Sequence, residues 1–175
     1  MDAPSDPLPA PGAPAPGDVP APWTRLASEA LFDCSLFTLH RHRARSATRP
    51  EPRSFYTLDA PDWVNVVALT PADGVLLVRQ YRHGSRGLTL EIPGGMVDPG
   101  ESAATAAARE LLEETGHVAD RFDLLGSVNP NPALFGNVCS TFLAQGARRV
   151  APVRNEGAEE TQVVIVPREQ LDERV

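Results

Sequence analysis

Glu110, Glu113 and Glu114 stand at the three- and four-residue spacing that puts side chains on one face of a helix. Three negative charges gathered there oppose folding unless a cation sits among them. Carboxylate oxygens suit a hard divalent ion, Mg²⁺ or Mn²⁺. Such ions bridge proteins to substrate phosphates, so the cluster points to metal-assisted chemistry on a phosphorylated substrate. A Glu-rich face by itself is an ordinary solvated face opposite a core stripe, here Ala104, Ala108, Leu111 and Leu112. What makes it a candidate site is the preceding punctuation, Pro93-Gly94-Gly95 and Pro99-Gly100, which builds a tight loop with accessible backbone. Ala103, Ala106 and Ala107 lie beside the carboxylates and are small enough to let that backbone approach.

Gly95, Glu101, Arg109, Glu110, Leu111, Glu113, Glu114 and Gly116 fit the pattern G-x5-E-x7-R-E-U-x-E-E-x-G-U, with U a bulky apolar residue. This resembles the signature box of the Nudix hydrolases. His117 replaces the last apolar residue, with Val118 next, a departure past the helix end that bears on packing more than on chemistry. The resemblance implies an α/β class fold, a Nudix-type α/β/α sandwich with a mixed sheet, and a Mg²⁺ or Mn²⁺ cofactor. It implies Glu110 and Glu114 as metal ligands, with Glu113 bound directly or through water, and the backbone carbonyl of Gly94 as a further ligand. Arg109 is expected to orient the glutamates by ion pairing. Glu101, near the helix start where negative charge is favourable, reads either as structural support or as a catalytic group.

The flanks narrow the resemblance. Arg79-Gln80-Tyr81-Arg82 and Glu91-Ile92-Pro93-Gly94-Gly95 look like signals of the ADP-ribose and nucleoside-diphosphate-sugar pyrophosphatase subgroup, with Gly94 in place of the usual Ala. Asn129-Pro130-Asn131-Pro132-Ala133, with Asn137 following, resembles a loop of bacterial nucleotide-sugar hydrolases in that group. By this likeness Arg82 holds a substrate phosphate, and Arg79, Glu91, Asn131 and Phe135 complete the substrate-binding set. Glu91 reads equally as a polar strand edge. Trp63 and Phe135 are able to stack on a base, though Trp63 also suits a core. His83 follows the Arg82 motif as a weaker candidate contact, whereas His40 and His42 look like one polar strand face. The general base of this subgroup is usually a glutamate on a late loop. Glu156, Glu159 and Glu160 precede the last strand here, and Glu160 and Glu159 lead because they border it. Expected chemistry is hydrolysis of a nucleoside diphosphate sugar or ADP-ribose to a nucleoside monophosphate and a sugar phosphate. The rivals are a Nudix hydrolase of nucleoside triphosphates or dinucleoside polyphosphates, and a non-catalytic Nudix-fold regulator, a kind of protein that often loses box glutamates that this chain keeps.

The elements that position these residues follow from pattern. Residues 1–22 are mostly Pro, Ala, Gly and Asp, a composition that reads as a disordered tail. Residues 23–60 read as a small N-terminal antiparallel β unit, with strands over 27–44 and 54–58 and a Pro/Arg turn between them. In the family likeness such a unit dimerises, so a homodimer is expected. Residues 61–175 read as the Nudix domain. They hold a hairpin around Pro71–Gly74, a strand over 88–92, and the box helix ending at Gly116. Strands follow over 122–128, 138–144 and 162–166, with a second helix from Arg168. The 175 residues carry a net charge of -7 and no basic stripe, which argues against nucleic acid. The sequence has no apolar run of about 18 residues or more, so no membrane span is expected. Cys34 and Cys139 lack metal-site spacing and read either as one disulfide or as free buried thiols in a cytoplasmic protein.

Overall fold

A computed structural model describes residues 21–155 and 160–173. Two sheets carry the chain. β1 (Trp23–Asp33), β2 (Thr38–Ser46) and β3 (Arg49–Asp59) form an antiparallel sheet in that order. The expected Pro/Arg turn shrinks to Ala47 and Thr48, with residues 49–53 already in β3, and the strand expected over 27–44 is divided between β1 and β2. Edge strands tolerate proline because one side of the ladder is unpaired, and the pairing with β2 shifts register between Ala44 and Ser46, beside Pro52. All of the expected tail up to Pro20 lies outside the described residues.

The second sheet is mixed. Its elements are β4 (Trp63–Leu69), β5 (Gly74–Arg82), β6 (Gly87–Glu91) and β7 (Gly94–Met96), then helix α1 (Ala103–Thr115) and the short β8 (His117–Val118). After these come β9 (Arg121–Val128), β10 (Cys139–Gln145), the short β11 (Arg148–Arg149) and β12 (Gln162–Pro167). The order is β12-β5-β4-β10-β9, with β6 added to β5 and β7 to β4; β8 and β11 pair separately. β10 runs parallel to β4 and the other pairs of this sheet are antiparallel. The β4–β5 hairpin turns as expected. Thr70 N–H donates to the Gly74 carbonyl, and Asp73 takes φ 60° at the tip.

β5 is buried on both faces. Leu76 joins Val64, Val66 and Phe142 beneath Ala107 and Leu111 of α1, while Val75 and Leu77 pack with Val166, Leu90 and Leu171 on the opposite face. The sheet is thus sandwiched by α1 and, where a second α-helix was expected from Arg168, by a 3₁₀ turn over Arg168–Glu173. The expected helix stripe also needs correction. Ala104 and Ala108 are exposed, and the buried row is Ala106, Ala107, Leu111, Glu114 and Thr115. Alanines at that row let the helix lie close to the sheet, which turns the Glu114 carboxylate inward instead of to water. His117 is buried too. Its Nδ1 lies 2.8 Å from the Thr115 carbonyl oxygen, so its ring is paired where an aliphatic residue was expected.

Candidate active site

Glycine permits the approach that builds this site. β7 pairs with β4, Gly94 opposite Asn65 and Gly95 opposite Val64. A Cβ on Gly94 would lie 2.2 Å from the Val64 carbonyl oxygen, and one on Gly95 would lie 2.2 Å from Glu110 Oε1. The first gap is closed by backbone and the second by the end of the Glu110 side chain, so the loop backbone rests on β4 below and on the box carboxylates above. Gly94 N–H then donates to Glu114 Oε2 at 2.9 Å. The helix is fixed at both ends. Ser102 caps it by accepting from Thr105 N–H at 3.1 Å, and Gly116 closes it in the left-handed region at φ 70°.

Arg109 is the centre of the charge network. Its guanidinium bonds Glu101 (3.0 Å), Glu110 (2.9 Å), Glu113 (3.1 Å) and the Met96 carbonyl (2.9 Å). An isolated surface pair at this spacing contributes about 0.5 kcal/mol or less. A half-buried arginine shared among several carboxylates is a different object, and it holds their positions against mutual repulsion. The hydrogen bond that Arg109 donates to Glu101, ahead of the charge of Glu110 and the hydrogen bonds to Glu113 and Glu110, raises the Arg109 pKa far above its ordinary value. In return the Arg109 guanidinium holds the Glu101 carboxyl below the usual carboxylate range. Glu101 also accepts from Asp98 N–H, so it ties the loop to the helix through Arg109.

These groups open onto a cleft of about 390 Å³ lined by Gly94, Gly95, Arg109, Glu110, Glu113 and Glu114, and also by Trp63, Arg82, Met96, Asp98 and Arg154. Arg82 makes a two-pronged ion pair with Glu91, 3.1 Å and 2.7 Å, which lowers the Glu91 pKa. The two residues read separately from sequence are therefore one unit at the cleft edge. Arg79, on the opposite face of β5, is exposed and bonds Gln162 at 3.1 Å; the structure does not bring it to the cleft. Asn131 and Phe135 lie elsewhere too. The Asn131 carbonyl accepts from Phe135 N–H in a tight turn, and Phe135 lines a separate hollow with His40, His42, Arg25 and Thr57 against the N-terminal sheet. Glu160 is described and exposed, and its neighbour Thr161 donates to the Glu114 carbonyl at the end of the box helix. Glu156 and Glu159 lie outside the described residues.

Sequence reasoning missed Arg154 and read Trp63 both as a base-stacking candidate and as a core position. Trp63 is half-buried, its indole N–H donates to Asn65 Oδ1 at 3.1 Å, and one side faces the cleft. Its place at the start of β4, opposite Met96 of the glycine strand, was the available signal. Arg154 had none, because its position depends on a loop folding back over the helix end. Cys34 and Cys139 are free, and burial raises the Cys139 pKa.

A Nudix domain profile matches residues 61–175. The chain belongs to the Nudix family. It is 33% identical over 86 residues to the methanol dehydrogenase activator of Bacillus methanolicus, covering 49% of this chain and 46% of that protein. It is 30% identical over 131 residues to an ADP-ribose pyrophosphatase of Mycobacterium tuberculosis, covering 71% and 60%. A crystal structure of an ADP compounds hydrolase superposes with TM-score 0.75 at 26% identity, covering 86% of this chain and 83% of that one. The aligned stretches thus span less than two thirds of these two curated relatives. The match confirms the family and the ADP-ribose pyrophosphatase-like likeness read from the box and its flanks.

Proposed function

We propose that this Nudix protein hydrolyses the pyrophosphate bond of a nucleoside diphosphate sugar or of ADP-ribose, with Mg²⁺ or Mn²⁺ as cofactor. The observation that carries this reading is the Arg109-braced carboxylate set closed over the Gly94-Gly95 backbone. All its donors are hard oxygens. Among the described residues no three His, Cys, Asp or Glu side chains are arranged to hold a metal ion by themselves; Mg²⁺ sites also draw on substrate phosphates and water. A divalent ion held by Glu110, Glu114, Glu113 and the Gly94 carbonyl would supply a bound water of lowered pKa and neutralise phosphate oxygens. The chain's own groups do the rest. Arg109 keeps Glu110 and Glu113 aimed, Arg82 faces the substrate phosphate, and Glu160 or Glu159 accepts the proton of the attacking water.

The names of the ADP-ribose pyrophosphatase and ADP compounds hydrolase relatives favour this substrate class over nucleoside triphosphates. The exposed apolar side chains of β1 favour a homodimer, as set out below. No helix among the described residues is long and apolar enough to cross a membrane, which is compatible with the proposed cytoplasmic setting. The test is a screen of ADP-ribose, GDP-mannose, UDP-glucose and nucleoside triphosphates with Mg²⁺. Release of a nucleoside monophosphate from a diphosphate substrate, abolished by EDTA and restored by Mg²⁺ or Mn²⁺, is the expected result. Undiminished turnover after exhaustive metal removal, or turnover of triphosphates alone, would overturn the reading.

A further inference from the structure

The cleft holds three arginines, and their charges are committed differently. Arg109 is consumed by the box carboxylates. Arg82 is paired with Glu91. Arg154 lines the same cleft, is exposed, and its guanidinium has no carboxylate or carbonyl partner among the described residues.

Its backbone, by contrast, is firmly held. The last carbonyls of a helix have no partner within the helix. Here the chain after β11 returns across that end. Val150 and Ala151 N–H donate to the Gly116 carbonyl at 2.8 Å and 3.1 Å, and Arg154 N–H donates to the Glu113 carbonyl at 2.8 Å. Gly116 makes this possible, since a Cβ there would lie 2.1 Å from the Ala151 carbonyl oxygen. Thr161 meets the Glu114 carbonyl from the other side of the loop. The peptide of Arg154 is thus pinned one residue from Glu114, at the wall of the cleft.

We propose that Arg154 is a substrate-binding residue that meets a phosphate oxygen of the pyrophosphate group. This rests on the proposed hydrolysis of a nucleoside diphosphate compound. Such a substrate brings further negative charge to a cleft already rich in carboxylate. Guanidinium suits phosphate by its planar donor fork. The competing account is that Arg154 only complements the negative end of the helix dipole. That account predicts a change in stability and none in substrate affinity.

The experiment uses the full chain and the variants Arg154→Gln, Arg154→Ala and Arg154→Lys. Steady-state kinetics with ADP-ribose and Mg²⁺ are measured alongside equilibrium binding of its non-hydrolysable α,β-methylene analogue, Mn²⁺ binding and thermal melting. We expect Gln and Ala to raise KM and weaken analogue binding by about tenfold or more, the scale of one charge-assisted hydrogen bond. Mn²⁺ affinity and Tm should hold, and Lys should recover most of the loss because it restores the charge. If wild type binds and hydrolyses ADP-ribose while Gln and Ala match it within about threefold, Arg154 does not touch substrate and the proposed activity stands. If wild type neither binds the analogue nor hydrolyses any diphosphate, the proposed activity fails and takes this role with it.

Discussion

β5 and β1 are both long strands, and they end up in opposite environments. Val75, Leu76, Leu77 and Val78 of β5 are buried on two faces, between α1 and the 3₁₀ turn. β1 is exposed along its whole length, including Trp23, Leu26, Leu31 and Phe32, and Phe55 and Tyr56 of β3 are exposed as well. A residue buried on one side of a sheet needs a layer to cover it, and the mixed sheet makes its layers from its own chain. The three-stranded sheet has no such layer among the described residues. It touches the rest of the molecule through β3, where Leu58 N–H donates to the Leu134 carbonyl beside a bridge to Phe135. Among the described residues, then, the glutamate cleft is walled by the mixed sheet and α1, whereas the N-terminal sheet leaves its apolar side chains uncovered. Exposed patches of this kind mark interaction sites more often than isolated exposed residues do.

The sharpest test of the glutamate cleft is Glu114→Gln. Gln keeps the shape and still accepts from Gly94 N–H, but removes the charge. We expect kcat to fall by about 10²- to 10³-fold, with a melting temperature near wild type. A near-wild-type rate would place the metal elsewhere and dissolve the contrast. The next effect concerns the late-loop glutamates, proposed above as the source of the general base. Glu160→Gln should lower kcat by about 10²-fold, the scale of a general base, while Glu159→Gln and Glu156→Gln lose less. If all three variants stay within about threefold, the base moves to Glu113 or Glu101. The smallest effect on chemistry is expected at the N-terminal sheet. Leu26→Glu with Phe32→Glu should leave the fold of the mixed sheet intact and halve the mass seen by light scattering at micromolar concentration. A wild-type monomer under those conditions would show that the N-terminal sheet needs no second copy.

Much of the site was legible in sequence because a helix has a fixed period. Once Glu110, Glu113 and Glu114 share a helix, their common face follows, and Arg109 must lie within reach of Glu113 one turn on. The glycine loop was legible for a different reason, since Pro93-Gly94-Gly95 and Pro99-Gly100 announce a tight turn with accessible backbone. The strands of the mixed sheet were readable from their apolar runs, and the hairpin from Asp73-Gly74. What misled was β3, where Pro52 suggested a turn although an edge strand accommodates it, and the helix stripe, where alanine carries little hydrophobic signal of its own.

Sequence by itself therefore determined which residue types stand together along the box and that they belong to the Nudix family. Tertiary structure alone decided which face of α1 turns inward, because that depends on how closely Ala106 and Ala107 let the helix approach β4 and β10. It also decided that Arg82 is answered by Glu91 from the neighbouring strand, that Arg79 points away, and that Phe135 faces the N-terminal sheet. Arg154 is the clearest case. It lies far from the box in sequence, and only the closure of its loop over the end of α1 brings its charge to the cleft. Contacts of that kind carry no local period, so no pattern in the chain announces them.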